Sequence, residues 1–216
     1  MGIFSFLKNL QLTYSDKVWN EGDFAIKGML TDALQSITKN EMAVVLTFFD
    51  DTKLQVRDFL VAKQVPYFDL DSANLSEAAS QSQVVFLLDA NLLNTSIHVL
   101  SFLLSQSRKQ KISILVFRHY PIPSKENKIL EKLATIDSEI VFYSSLDDPA
   151  FKMFGGESLK STLEKLGLVG EETIQHAMVT RAMKNAREKI EQGVREEIIC
   201  PTETDWFNKN YSNKKS

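Results

Sequence analysis

The sequence predicts an α/β protein: one mainly parallel sheet with helices on both faces, followed by a helical C-terminal extension. Two observations predict it. Short continuous apolar runs rich in β-branched and aromatic residues, such as Ala43 to Phe49 (AVVLTFF), are what a strand covered on both faces requires. Between these runs lie polar stretches with apolar residues at helical spacing, the alternation expected of parallel strands joined by crossover helices.

Taken in order, Asn20 to Lys39 places Ile26, Leu30, Ala33, Leu34 and Ile37 on one stripe of a helix, which must lie against something apolar. Ala43 to Phe49 is the first strand. A helix over Thr52 to Lys63, strands at Val65 to Leu70 and Gln83 to Asp89, and a helix over Leu92 to Gln106 follow. A strand at Ile112 to Arg118, a helix over Ser124 to Ile136 and a strand at Glu139 to Ser144 complete a five-stranded layer. All but the Val65 to Leu70 strand are expected to be neighbours in one sheet. Asp50-Asp51 stands where ligands gather in open α/β sheets, but a capped helix start explains the pair more simply.

After Ser145 the strands stop. Asp148-Pro149 reads as a helix start, with the carboxylate capping free amides and the proline at the first helical position. Gly155-Gly156 and Gly167 punctuate two short helices. A longer helix is expected from about Thr173 to Ile198, with Ile174, Met178, Ala182, Ala186, Ile190 and Val194 at four-residue spacing. Lys184, Arg187, Glu188, Glu191 and Arg195 form its solvated remainder. The apolar seam requires cover, from the chain's own body, a second copy or a partner, in that order for an isolated chain. Pro201 to Ser216 is polar, yet Trp206, Phe207 and Tyr211 leave docking and disorder equally open. The expected organisation is an N-terminal segment (1–15), the α/β domain (16–170), the long helix (171–200) and a tail (201–216).

Composition excludes several classes. With 25 Lys and Arg against 28 Asp and Glu in 216 residues, no global field recruits nucleic acid or anionic lipid. The most basic stretch, Arg108 to Lys132, is interrupted by the apolar run Ile112 to Phe117, so solvated helix ends around a buried strand explain it. Cys200 is the only cysteine, which excludes an intrachain disulfide and favours a reducing, cytoplasmic setting. His98, His119 and His176 follow no ligand spacing, so neither metal nor cofactor is expected. Met1 to Leu12 is mildly amphipathic but lacks the features of a signal peptide. Ala90 to Ser107 is uncharged but too polar to span lipid.

Family-level similarity enters at Phe142 to Gly155 (FYSSLDDPAFKMFG), continues through KLGL at Lys165 to Leu168, and extends over Ile174 to Glu191 (IQHAMVTRAMKNAREKIE). About fifty residues in register resemble the SecA preprotein-translocase ATPase, at the close of its second nucleotide-binding domain and the start of its helical scaffold. SDKVW (Ser15 to Trp19) resembles the family's entry into that domain. The resemblance implies a RecA-like fold of the helicase C-terminal type. The middle of the chain departs from the family: DANLLNTS follows the strand ending at Asp89 where SecA has Gly-Arg-Gly-Thr-Asp. The family's Arg-rich segment, whose arginines stabilise charge on the transferring phosphate, is replaced by RHYPIPSKENKILEKL (Arg118 to Leu133).

Only Arg118-His119 echoes the family there. Arg118 is either a surviving phosphate contact or, as favoured, the solvent-capped end of a strand. His176, Asp147, Asp148 and Glu157 suit capping and helix-dipole roles. No Walker loop or nucleophile elbow is present, so no catalytic residue and no ATP hydrolysis are expected. The resemblance and the missing motifs together imply a non-catalytic, SecA-like interaction module related to protein export. Its partner is the translocation machinery or a second copy, met through Ile174, Met178, Ala182, Ala186 and Ile190. Alternatives are a subunit completing an ATP site in trans and, resting on fold analogy alone, a nucleic-acid-binding lobe.

Overall fold

Ser15–Trp19 (β1), Met42–Thr47 (β2), Tyr67–Leu70 (β3), Val85–Asp89 (β4), Ile112–Phe117 (β5) and Ser138–Ser145 (β6) form one sheet, in the order β1-β6-β5-β2-β4-β3. Every pairing is parallel. The structure is a computed structural model that describes residues 14–95, 98–107, 109, 111–154, 156–165, 167, 170–174 and 177–211. The four strands expected to be adjacent are adjacent as β6-β5-β2-β4. The sheet has six strands rather than the expected five. β1 escapes a hydrophobicity reading because SDKVW carries two charges and buries only Val18 and Trp19, as an edge strand can.

Both central strands, β2 and β5, are buried at every position, so successive side chains feed two separate cores. Ala43, Val45, Leu115 and Phe117 face Gly22–Thr38 (α1) and Asp50–Ala62 (α2), packing with Ile26, Met29, Leu30, Val56 and Leu60. Val44, Leu46, Ile114 and Val116 face the other side. There they meet Val99, Leu100 and Leu103 of His98–Gln106 (α5), and Ile129, Leu130 and Leu133 of Pro123–Leu133 (α6). Each such aliphatic side chain contributes about 1.5–3 kcal/mol by leaving water. On α1 the expected stripe is displaced: Ala25 and Met29 are buried, while Leu34 is 43% exposed. Gly28 of α1 lies against Trp19, whose Cζ2 would be 2.3 Å from an added Cβ.

Leu75–Ser80 (α3) and Ala90–Thr95 (α4) complete the crossovers. The single helix expected over Leu92 to Gln106 is described as α4 and α5, with 96–97 outside the described residues. Pro149–Met153 (α7), Gly156–Lys165 (α8) and Ala177–Gly193 (α9) follow β6. They gather a smaller core of Val18, Leu146, Phe151, Leu159, Leu163, Ile174, Val179 and Met183 beside β1. Gly155 and His176 lie outside the described residues, as does the Glu157 side chain.

α9 folds back on the chain's own body, the first-ranked of the three ways to cover its seam, and packs on α7 and α6. Its buried face is Val179, Met183, Ala186, Arg187 and Ile190, which corrects the expected stripe. Strict four-residue steps advance about 40° past a full turn each time on a helix of 3.6 residues per turn, so a straight face alternates three and four. Met178 is accordingly exposed, and Arg187, assigned to solvent, is buried. The tail docks as well: Glu203–Asn210 (α10) brings Trp206 and Phe207 into the main core.

Candidate functional site: the closed carboxyl edge of the sheet

The loops leaving the carboxyl ends of parallel strands are where an open α/β sheet places a ligand site. Arg118 follows β5 with φ 64°, a left-handed conformation that is uncommon for a residue carrying a Cβ. Its N–H donates to the Tyr143 carbonyl at 3.0 Å. The guanidinium is not capped by solvent, as favoured from the sequence; its side chain is 18% exposed. Nε lies 3.1 Å from Asp148 Oδ1, Nη1 donates to Glu203 Oε2 at 2.7 Å, and Nη2 donates to Gln55 Oε1 at 3.1 Å.

Asp148 also departs from its expected role. It precedes α7, with Pro149 at the first helical position, but its side chain makes no cap bond to that helix. Instead it accepts from the Ser145 N–H at 3.0 Å and the Ser145 hydroxyl at 2.8 Å. Two buried acids therefore share one guanidinium. Burial opposes the charge on Arg118, but Asp148 and Glu203 outweigh it and raise its pKa. Burial raises the Asp148 carboxyl against the pull of Arg118. Burial, with Arg118 opposing and Asp148 adding repulsion, pushes Glu203 up to about 7.

Glu203 reaches this position because its segment is laced to the start of α2. The Asp50 N–H donates to the Pro201 carbonyl at 2.8 Å, and the Glu203 N–H donates to the Asp51 carboxylate at 3.1 Å. The Asp51 carboxylate is thus engaged within the chain, while the Asp50 side chain is exposed and the residue that caps α2 is Phe49, with no side-chain cap bond. Thr202 caps α10, its hydroxyl accepting from the Asp205 N–H at 3.1 Å.

A second ionic cluster adjoins the first. His119 Nδ1 is 3.0 Å from Glu126 Oε2 and Nε2 is 3.1 Å from Asp16 Oδ1, so both ring nitrogens face carboxylates. Burial lowers the His119 pKa, but Glu126 and the hydrogen bonds to Asp16 and Glu126 prevail and raise it. The ring stacks on Phe142, 4.1 Å between centroids. Glu126 also accepts from Arg187 Nη2 at 2.5 Å and from the Tyr120 N–H at 2.8 Å. Burial alone would raise Glu126; His119 and Arg187 together hold it low. A third acid, Glu197, receives the Tyr120 hydroxyl at 2.5 Å and Trp206 Nε1 at 2.6 Å, and pairs with Lys125.

At β4, Asp89 starts α4 by accepting from the Asn91 N–H at 2.6 Å, where the resembling family has its glycine-containing segment. The space left among Arg118, His119, Ser144, Arg187 and Glu203 is about 20 Å³, against roughly 300 Å³ or more for a small-molecule site. The larger spaces lie beside it, about 150 Å³ next to Phe48, Asn91 and Tyr120 and about 380 Å³ on the outer side of His119 and Arg187. Chemically, this arrangement neutralises charge and holds elements together. His119 has no free ring nitrogen to act as a base, and Cys200 is buried. Among the described residues no cluster of His, Cys, Asp and Glu is arranged to hold a metal ion, and no helix is long and apolar enough to cross a membrane.

Of the sequence-predicted residues, Arg118 lies at the centre of the edge. Ile174, Ala186 and Ile190 are buried in the chain's own cores, Ala182 is partly buried, and Met178 is exposed. The sequence reading missed Asp16, His119, Glu126, Arg187 and Glu203. Arg187 was reachable, since the Val179, Met183, Ala186, Ile190 face includes it; Glu203 pairs across 85 positions, and no local pattern announces that.

Comparison with known proteins finds similarity over part of the chain. Protein translocase subunit SecA 1 of Alkaliphilus metalliredigens is 39% identical over 61 residues, 27% of this chain and 7% of that protein. SecA of Aromatoleum aromaticum is 47% identical over 51 residues, 24% of this chain and 6% of that protein. About a quarter of the chain is related to SecA. The match spans only a small fraction of each SecA, and no family model matches the chain. Among solved structures, the C-terminal part of the Fun30 ATPase domain aligns with TM-score 0.41 and 9% identity, covering 77% of this chain and 54% of that one.

Proposed function

We propose that this chain is a non-catalytic SecA-like interaction module, an accessory or regulatory partner of protein-export machinery. The observation that carries this reading is the closure of the carboxyl edge around Arg118. Arg118, the arginine that echoes the family's phosphate-binding region, has its guanidinium engaged by Asp148, Glu203 and Gln55. A nucleotide there would have to displace a buried carboxylate and the helix behind it. Removing one member of such a buried ion-pair cluster costs several kcal/mol, which a ligand would have to offset before any net binding.

The part of the sequence that resembles SecA, from β6 into α9, is the part that carries α9 onto the body of the domain. The module therefore retains the family's architecture in the region that organises neighbouring elements, without the groups that act on phosphate. The test is a phosphate-release assay. The purified chain alone is expected to leave ATP with Mg²⁺ untouched, and to change the ATPase rate of the SecA from the same cell when added to it. Hydrolysis by the chain alone, abolished in Arg118→Ala, overturns the non-catalytic reading; an unchanged SecA rate overturns the export role.

A further inference from the structure

The C-terminal segment closes the sheet edge with one acid too many. Around Glu203 stand Arg118 and His119 from the loop after β5, Asp148 from the β6–α7 loop, Asp51 from α2 and Arg187 from α9. α10 itself adds Asp205 and Lys209. Arg187 and His119 are already engaged by Glu126. Arg118 alone is left for both Asp148 and Glu203, which are 7% and 4% exposed.

We propose that this shared guanidinium makes docking of the C-terminal segment, from Glu197 to Asn210, pH-dependent: tighter in mild acid, looser at neutral and alkaline pH. Protonating one of the two acids leaves a neutral carboxyl that still hydrogen-bonds, and the remaining carboxylate pairs with Arg118 one to one. Above that titration both acids are ionised, and their repulsion is relieved only if Glu203 moves out to water, taking α10 with it.

The direction of the Glu203 shift agrees. A carboxyl raised in the docked state to about 7 binds more proton there than when undocked. Docking therefore weakens as pH rises from the ordinary carboxylate value, and the contribution is fully lost above about 7. Asp148 and His119 are shifted in the same direction and Glu126 in the opposite one, so substitution is needed to assign the slope to Glu203. This inference rests on the docked segment and not on the lack of catalysis, and its test involves no nucleotide.

The experiment is amide hydrogen exchange on the full chain between pH 5.5 and 8, corrected for chemical exchange rates and referenced to β5 amides. The reporters are Ile198, whose N–H donates to Asn210 Oδ1, Trp206, whose N–H donates to the Thr202 carbonyl, and Tyr211, whose N–H donates to the Phe207 carbonyl at the end of α10. Wild-type protection at these amides is expected to fall at least about tenfold across that range, while β5 holds. Glu203→Gln is expected to flatten the slope. Asp148→Asn, which leaves Glu203 as the one carboxylate ion-paired with Arg118, is expected to flatten it from a different element. Flat wild-type protection, protection that rises with pH, or a wild-type slope surviving in both variants would overturn the proposal.

Discussion

β5 and the three residues after it are held by different physics. From Ile112 to Phe117 every residue is buried and only Ser113 is polar. From Arg118 to Tyr120 every side chain carries a polar group that meets a named partner: Asp148 and Glu203, Asp16 and Glu126, and Glu197, although the Tyr120 ring also packs on the core. In the strand, stability follows apolar area, is non-directional, and tolerates substitutions that conserve volume. At the edge it follows pairing, and losing one partner strands another charge away from water.

That contrast is broken or sharpened by substitution. The largest effect is expected at Glu126, where alanine leaves both His119 and Arg187 buried without their shared carboxylate. Denaturant unfolding should show a loss of about 3–5 kcal/mol. Because Glu126 is held low, its contribution is present above the ordinary carboxylate value and lost as pH falls through its folded value. The deficit of Glu126→Ala should therefore shrink in acid. A loss below about 1 kcal/mol at pH 7 would place the edge outside the ionic regime.

In the strand regime, Leu88 of β4 is fully buried in the main core. Leu88→Ala is expected to cost about 2–5 kcal/mol and Leu88→Met less than about 1.5, both independent of pH. A methionine as costly as the alanine would show that shape, not area, governs this region. The smallest effect is at Thr202, the N-cap of α10. Thr202→Ala is expected to cost about 1 kcal/mol, with the loss of exchange protection concentrated in α10.

The two regions were also unequally legible in the sequence. Continuous runs such as AVVLTFF and ISILVF (Ile112 to Phe117) declare strands covered on both faces, because burial on two sides admits few polar residues. That these four strands are neighbours is expected from the sequence; their order, β6-β5-β2-β4, comes from the structure alone. β1 was missed because an edge strand buries only part of itself, and its two charges hide the rest. The ionic edge was illegible for a different reason: its partners lie 103, 85 and 61 positions apart, as in Asp16 with His119, Arg118 with Glu203, and Glu126 with Arg187. A charged residue reads as solvated until a fold brings its counter-charge to it. Trp206, Phe207 and Tyr211 leave docking and disorder equally open in the sequence, and only the structure shows Trp206 and Phe207 in the main core.

The central claim is that the chain's own C-terminal segment occupies the place where an open parallel sheet would take a nucleotide. It is tested most directly by thermal denaturation with and without millimolar ADP and Mg²⁺, because any ligand that binds the native state must stabilise it by mass action. An unchanged melting temperature is predicted. A rise of several degrees that disappears in Arg118→Ala would contradict the account, for it would mean that Glu203 yields its place to phosphate and that the edge is an open site.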